Sequence, residues 1–314
     1  MAEVKMEATR AAYGETLIEL VRQGVDVVAV EADLAGSTTT AKLGKAYPDR
    51  LFDVGIAEQN MIDVAAGLSL AGKVAFTGSF AVFGTGRSYD QIRNTVCYSK
   101  LNVKIAPTHS GVSVGPDGGS HQMLEDIALM RALPGMRVLV PADYVAAKAA
   151  IRLAAAVPGP FYVRLGRAKV PCVYEEPFVM ELGRGSVVRP GTDVTIVACG
   201  IELDQALKAA EVLDGRGVSA EVIDMPSIKP LDEDLLLESV GRTGCVVTAE
   251  EHSVIGGLGS AVCEALAEKR PAPVERIGVR DTFGTSGELA ELLPHFGLDA
   301  AAIAAAAERV MARK

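Results

Sequence analysis

Residues whose types could do chemistry cluster in a few stretches of this chain. In DVGIAEQNMIDVAAGLSLAG (53–72) a short apolar strand leads through Glu58 into a helix carrying Met61, Ile62, Val64, Ala65, Ala66, Leu68 and Leu70. So many apolar positions bury most sides of that helix, which puts the carboxylate at the edge of a core. An isolated Glu there could simply complement the helix dipole, worth under about 1 kcal/mol when exposed. GSFAVFGTGRSYDQ (78–91) sets Phe80 and Phe83 three residues apart after a strand, in a chain with 8 Phe and no Trp. They suit ordinary core, or a flat slot that stacks a planar ring.

THSGVSVGPDGGSHQ (108–122) brackets a glycine-rich loop and Asp117 with His109 and His121, and His121 is expected to start a helix capped by Ser120. Two His and an Asp at this spacing match no common metal-ligand pattern, and no Cys is near. Proton transfer and hydrogen bonding to a polyhydroxylated substrate fit better, and the phosphate-binding GxxxxGK[ST] pattern is absent. In YVRLGRAKVP, Arg164 and Arg167 follow a strand end. Either could clamp a phosphate with its planar fork, or both could be surface arginines at a domain boundary. His252 and the glycines of EEHSVIGGLGSAV (250–262) precede a helix. An anion could bind there, but close helix packing is the commoner cause, and the stretch is read as structural.

These stretches need a scaffold that brings strand ends together. Apolar β-branched segments at 26–33, 51–55, 73–80, 102–109, 136–143 and 161–166 alternate with helical patterns at 7–23, 36–48, 57–71, 86–98, 121–132 and 143–156. Such alternation predicts an α/β fold with a mainly parallel sheet covered by helices on both faces. Ligands of such sheets sit outside the carboxyl ends of the strands, where the stretches above fall. A Pro-rich lapse follows, predicted as a linker over 173–190 that could include an edge strand, between a first domain at 1–172 and a second at 191–314. The second repeats the alternation, with strands at 193–200, 218–227, 244–252 and 273–281 and a closing Ala-rich helix at 298–312.

Composition narrows the function classes. A net charge of -9 and 49% hydrophobic residues describe a globular chain with no bulk attraction to nucleic acid or anionic membrane. The five cysteines lie apart without a CxxC and read as reduced core thiols. No uninterrupted apolar run is long enough for a membrane span, and MAEVKMEATR lacks the apolar region of a signal peptide. The expected compartment is the cytoplasm.

Together DVGIAEQNM, TGSFAVFGTGRSYDQIRN, THSGVSVGPDGGSHQMLEDIALMRALPGMRVLVPAD and VRLGRAKVP resemble transketolases in order and spacing, most closely the C-terminal subunit of split, two-chain transketolases. The likeness covers nearly the whole chain. It implies a pyrimidine-binding domain followed by a smaller transketolase C-terminal α/β domain, and thiamine diphosphate as cofactor. By resemblance, Glu58 bonds N1′ of the aminopyrimidine, and Phe80 and Phe83 form its pocket, with Ile56 and Arg87 also on the cofactor side. His121 lies near the 4′-amino group as a second catalytic residue, His109 and Asp117 contact substrate hydroxyls, and Arg167 holds a sugar phosphate. Arg167 aligns better than Arg164 because it keeps its distance to Pro171.

The sequence departs from the family at two points. Gly86, followed by Arg87, stands where many one-chain transketolases have a Tyr. The GDG with a downstream Asn that would hold the diphosphate and its Mg²⁺ is absent. The resemblance therefore implies half an active site, completed by an N-terminal, diphosphate-binding partner subunit in an α2β2 assembly. One alternative is the β subunit of a 2-oxo acid dehydrogenase E1 component, against which the VGPDGGSHQ loop stands. 1-Deoxyxylulose-5-phosphate synthases share an IAEQ segment but carry both halves in one longer chain. A non-catalytic regulatory subunit is the alternative of another class, and core packing would not require Glu58, His109, Asp117 and His121 together.

Overall fold

The computed structural model describes residues 5–314. Its first half supplies β1 (Met6–Ala8), β2 (Val27–Glu31), β3 (Leu51–Asp53), β4 (Val74–Gly78), β5 (Val103–Ile105), β6 (Arg137–Leu139), β7 (Phe161–Val163) and β8 (Lys169–Pro171). The second half supplies β9 (Ser186–Arg189), β10 (Val194–Ala198), β11 (Ala220–Asp224), β12 (Ser227–Lys229), β13 (Val246–Ser253) and β14 (Val274–Val279). Central strands such as β2 and β10 are buried at every residue, as runs of β-branched side chains covered on both faces should be.

The first sheet has the order β12-β6-β7-β5-β4-β2-β3 and is parallel except where β12 joins β6. Its order reverses at β2, which has β3 on one flank and β4 on the other, and that is where a ligand crevice is expected. The second sheet, β14-β13-β10-β11-β9, is parallel apart from its antiparallel edge β9. The α/β class is therefore as expected.

Several boundaries differ from the sequence expectation. The segment 218–227 is not one strand: β11 ends at Asp224, and β12 crosses over to pair with β6, Ser227 opposite Leu139. That covers an edge the first sheet would otherwise leave open. Apolar packing crosses the same boundary, since Val138 and Val140 share a core cluster with Val197, Cys199 and Met225. The first helix starts at Ala11, because Met6–Ala8 pairs antiparallel with β8. The helix expected from His121 starts at Asp126 instead. The preceding backbone is engaged elsewhere: Gly111 N–H donates to Met123 O at 2.9 Å.

Sequence patterning also missed the helix Leu289–Phe296, which opens on a Glu288–Glu291 capping box. With Ala300–Met311 it makes a stretch long and apolar enough to cross a membrane by length and composition, though Glu291, His295, Asp299, Glu308 and Arg309 interrupt it, so no uninterrupted apolar run reaches that length. Gly297, in the left-handed region at φ 66°, divides the two helices, and Ile303, Ala307 and Val310 are buried in the second core.

Candidate active site

Glu58 is the first residue of the helix Glu58–Leu70, which follows β3, and it is only 6% exposed. Its Oε1 accepts a hydrogen bond from Arg87 Nη1 at 2.9 Å. The same guanidinium lies 4.2 Å from the centre of the Phe83 ring. Arg87 reaches both because Val82–Arg87 is π-helical, a wider turn that re-aims side chains and recurs at functional sites.

The two phenylalanines do not form an open slot. Their rings are near-parallel, 16° apart, with centroids separated by 6.0 Å. A third ring between them needs roughly 7 Å, two contact distances of about 3.5 Å. His109 already stacks on Phe80, centroids 3.7 Å apart, and His121 meets Phe83 edge-on at 5.4 Å. Phe80 is nearly buried and Phe83 half-buried, so Phe83 is the ring turned toward solvent. His121 Nδ1 is 3.0 Å from the Ser120 hydroxyl.

Behind this ring stack lies a cationic cleft of about 330 Å³, lined by Arg10, Ser113, Gly115, Arg167, Lys169 and Glu288 among others. Arg10 Nη1 donates to Ser37 O at 3.0 Å and to His109 Nε2 at 3.3 Å. A guanidinium can only donate, so Nε2 is the unprotonated nitrogen and Nδ1–H faces the Thr108 hydroxyl at 2.7 Å. Burial, then the charges of Arg10, Arg167 and His121, push the His109 pKa down to about 3. His109 is thus a neutral strut, 2% exposed, with both ring nitrogens engaged by its own chain. Its φ of 60°, with 77° at Thr39, whose hydroxyl donates to Arg10 O at 2.9 Å, puts two left-handed non-glycine residues beside Arg10, and backbone strain commonly collects at functional sites.

Arg167 and Asp117 come together at the other end of the cleft: the Arg167 guanidinium donates to Val114 O and lies 3.8 Å from the Asp117 carboxylate. Arg164 does not join them. It is buried, paired with Asp126 at 2.7 Å, and donates to Glu251 O at 2.9 Å, so it faces the interior rather than the cleft. Burial alone would raise the Asp126 pKa, but Arg164 and His252 outweigh it and hold the carboxyl low. Ile56 is 75% exposed on the loop ahead of Glu58.

The structural reading of EEHSVIGGLGSAV stands, with a more specific role than helix packing. Glu250 accepts from Leu258 N–H and Gly259 N–H, capping the helix Leu258–Lys269, while buried His252 Nε2 accepts from Ala128 N–H at 3.3 Å. The glycines at 118 and 119 have a structural cause as well. A Cβ would lie 2.5 Å from Ser286 Oγ at Gly118 and 2.5 Å from Gly284 O at Gly119, where the second half packs on the loop. Gln122 ties the same joint, donating to Val112 O at 3.0 Å and Thr285 O at 2.8 Å.

Sequence reasoning missed Arg10, Ser37 and Glu31. Arg10 carried a signal, being a cation at the N-terminus of the helix Ala11–Arg22, where the dipole disfavours positive charge. Glu31, at the carboxyl end of β2, is fully buried and accepts from Thr38 and Thr40 hydroxyls at 2.6 and 2.5 Å. Among the described residues, no group of three or more His, Cys, Asp or Glu is arranged to hold a metal ion.

Comparison with known proteins assigns the chain to a family. A family model for the transketolase pyrimidine binding domain matches residues 5–173, and one for the transketolase C-terminal domain matches 183–303. The chain is 44% identical over 314 residues to the 6-deoxy-6-sulfo-D-fructose transketolase subunit SqwH of Clostridium sp. (strain MSTE9), covering 99% of this chain and 98% of the relative. To an apulose-4-phosphate transketolase subunit of Phocaeicola vulgatus it is 41% identical over 295 residues, 94% of each chain. A solved structure described as a split gene transketolase, inactive beta4 tetramer, superposes with a TM-score of 0.89 at 50% identity, covering 97% of this chain and 98% of that one. With both domains matched in order along its length, the chain belongs to the transketolase family and corresponds to the C-terminal, pyrimidine-binding section of a split transketolase.

Proposed function

We propose that this chain is the pyrimidine-side half of a thiamine-diphosphate-dependent transketolase, moving a two-carbon ketol unit from a ketose phosphate to an aldose. A partner chain holds the diphosphate and Mg²⁺, for which this sequence has no GDG motif. One observation carries the reading: a nearly buried carboxylate stands beside a half-buried aromatic ring, with a cationic cleft behind the same ring stack. Those residues fit the group. Thiamine diphosphate, when bound, supplies the carbon nucleophile that adds to the ketose carbonyl.

The chain's own residues divide the remaining work. Glu58 hydrogen-bonds N1′ of the aminopyrimidine and shares a proton with it, and Phe83 offers the apolar face on which that ring packs. Arg87 now covers both and must share or release Glu58 when the ring arrives. His121, edge-on to Phe83, is placed to hold a hydrogen bond at the substrate oxygen. Arg10, Arg167 and Lys169 hold the terminal anion, with His109 keeping Arg10 in position. Ile56 and Phe52, 75% and 38% exposed beside Glu58, give the partner chain an apolar surface to cover. The matched solved assembly of one chain type, described as inactive, supports the need for a second chain.

The test is donor specificity in the reconstituted pair. Arg10→Ala and Arg167→Ala are expected to raise KM for ketose phosphates about tenfold or more, the scale of a lost charge-assisted hydrogen bond, and to leave a neutral ketose unaffected. A sulfonated ketose, the substrate type named for one relative, forms a parallel arm that separates a phosphate site from a general oxyanion site. An equal rise in KM for the neutral ketose contradicts the assignment.

A further inference from the structure

The carboxyl ends of parallel strands in the second sheet offer a ligand crevice of their own, at β10, which has β11 on one flank and β13 on the other. That crevice is filled by the first domain. Val140, Pro141, Arg164 and Leu165 meet Gly200, Ile201 and Glu251 around a residual cavity of only about 10 Å³, room for roughly one water. What the second domain presents there is Glu251, 4% exposed.

We propose that Glu251 is a positioning residue for the cationic cleft, gripping from the second domain the loop that forms the cleft's floor. Its Oε1 accepts the Ser113 backbone N–H across the domain boundary. Its carboxyl group also fills the space where Gly111 would carry a side chain: a Cβ there would lie 2.2 Å from Glu251 Cδ, and Gly111 sits at φ 76°. Ser113, Val114, Gly115 and Pro116 line the cleft on the loop's other side, and Val114 O accepts from Arg167. The grip therefore fixes the backbone between His109 and Asp117, and through Val114 the guanidinium of Arg167.

Arg164 keeps Glu251 in place, lying 3.7 Å from its Oε2 and bonding its backbone carbonyl. Burial raises the Glu251 carboxyl to about 7, with Arg164 and the Ser113 N–H opposing. A neutral group of the same shape is thus tolerated at this position, and what the loop requires is reach.

This inference rests on the proposed anion cleft, and a reach-against-charge pair of variants tests it. Inorganic phosphate is titrated calorimetrically into the full chain without partner or cofactor, so the readout is independent of turnover. Glu251→Asp keeps the charge facing Arg164 but withdraws from Ser113 by one methylene; Glu251→Gln keeps the reach and an acceptor oxygen. The expected result is phosphate affinity about fivefold or more weaker in Glu251→Asp and within about twofold of the parent in Glu251→Gln, the size of one lost backbone hydrogen bond. Thermal melts establish that both variants are folded at the titration temperature. Unchanged affinity in the Asp variant, or a Gln variant as weak as the Asp variant, overturns the proposal. Arg167→Ala separates this from failure of the cleft itself: phosphate affinity unchanged there defeats the anion assignment, whereas a loss there with none in Glu251→Asp defeats only the role of Glu251.

Discussion

The loops at 53–58 and 108–122 both follow strands of the first sheet, yet the chain treats them differently. The second is held throughout: Gly111 N–H bonds Met123 O, Ser113 N–H bonds Glu251, and Gln122 reaches Thr285 across the domain boundary. The first ends in an exposed Ile56 and a Glu58 whose side-chain partner, Arg87, is itself 55% exposed. Under the proposed function, the parts that would hold a substrate anion are completed within the chain. The parts that reading assigns to a cofactor ring are left exposed, the asymmetry expected of a half-site.

Glu58→Gln should have the largest effect. In the reconstituted pair it is expected to lower kcat by roughly 10²–10⁴-fold, the range for a positioned proton-transfer group. The cost to stability should stay below about 1 kcal/mol, since the Arg87 side of the lost pair is already solvated. A measured kcat within a few-fold of the parent would remove Glu58 from the chemistry and leave it a helix-end carboxylate.

Arg164→Ala strikes the gripped side and should be mainly a folding defect. It strands Asp126 as a buried carboxylate, a loss of about 3–5 kcal/mol measurable by urea denaturation. Arg167→Ala, half-exposed at the cleft, should change stability by less than about 1 kcal/mol. Equal destabilisation by both would mean that the two arginines have not been separated correctly.

Glu31 lies under the open loop, and burial raises its pKa from 4.5 to about 7, with the Asp53 charge adding and the Thr38 and Thr40 hydroxyls opposing. The folded state holds this proton more tightly than the unfolded chain. The associated stability is complete below the ordinary carboxylate pKa and is lost as pH rises through about 7. Glu31→Gln should remove that fall, at most about 3 kcal/mol between about pH 5 and about pH 8. Asp224 and Glu251, each also raised to about 7 by burial, leave a residual slope in the variant. An unchanged pH dependence would show that Glu31 is ionised in the fold. Arg87→Ala should have the smallest effect on stability, under about 1 kcal/mol in the isolated chain.

The α/β class was legible because strand patterns and helical patterns alternate along the chain, and each feature lies within one segment. Phe80, Phe83, His109, Asp117 and His121 could be singled out because unusual residues follow predicted strands. What could not be read was how they meet. The π-helical turn that brings Arg87 onto Glu58, the stacking of His109 on Phe80 and the crossover of β12 depend on contacts between distant segments. Arg164 and Arg167, three residues apart on one strand exit, point to opposite fates for the same reason. The sequence showed that the 108–122 loop is glycine-rich but not what approaches it: Gly118 and Gly119 make room for residues 284–286.

The most direct test of the half-site account is ketol transfer by the purified chain with thiamine diphosphate and Mg²⁺, alone and after mixing with a chain that carries the diphosphate-binding domain. The account predicts no turnover from the chain alone and transfer from a ketose phosphate to an aldose on mixing, slowed roughly 10²–10⁴-fold by Glu58→Gln. Full transfer by the isolated chain would contradict it.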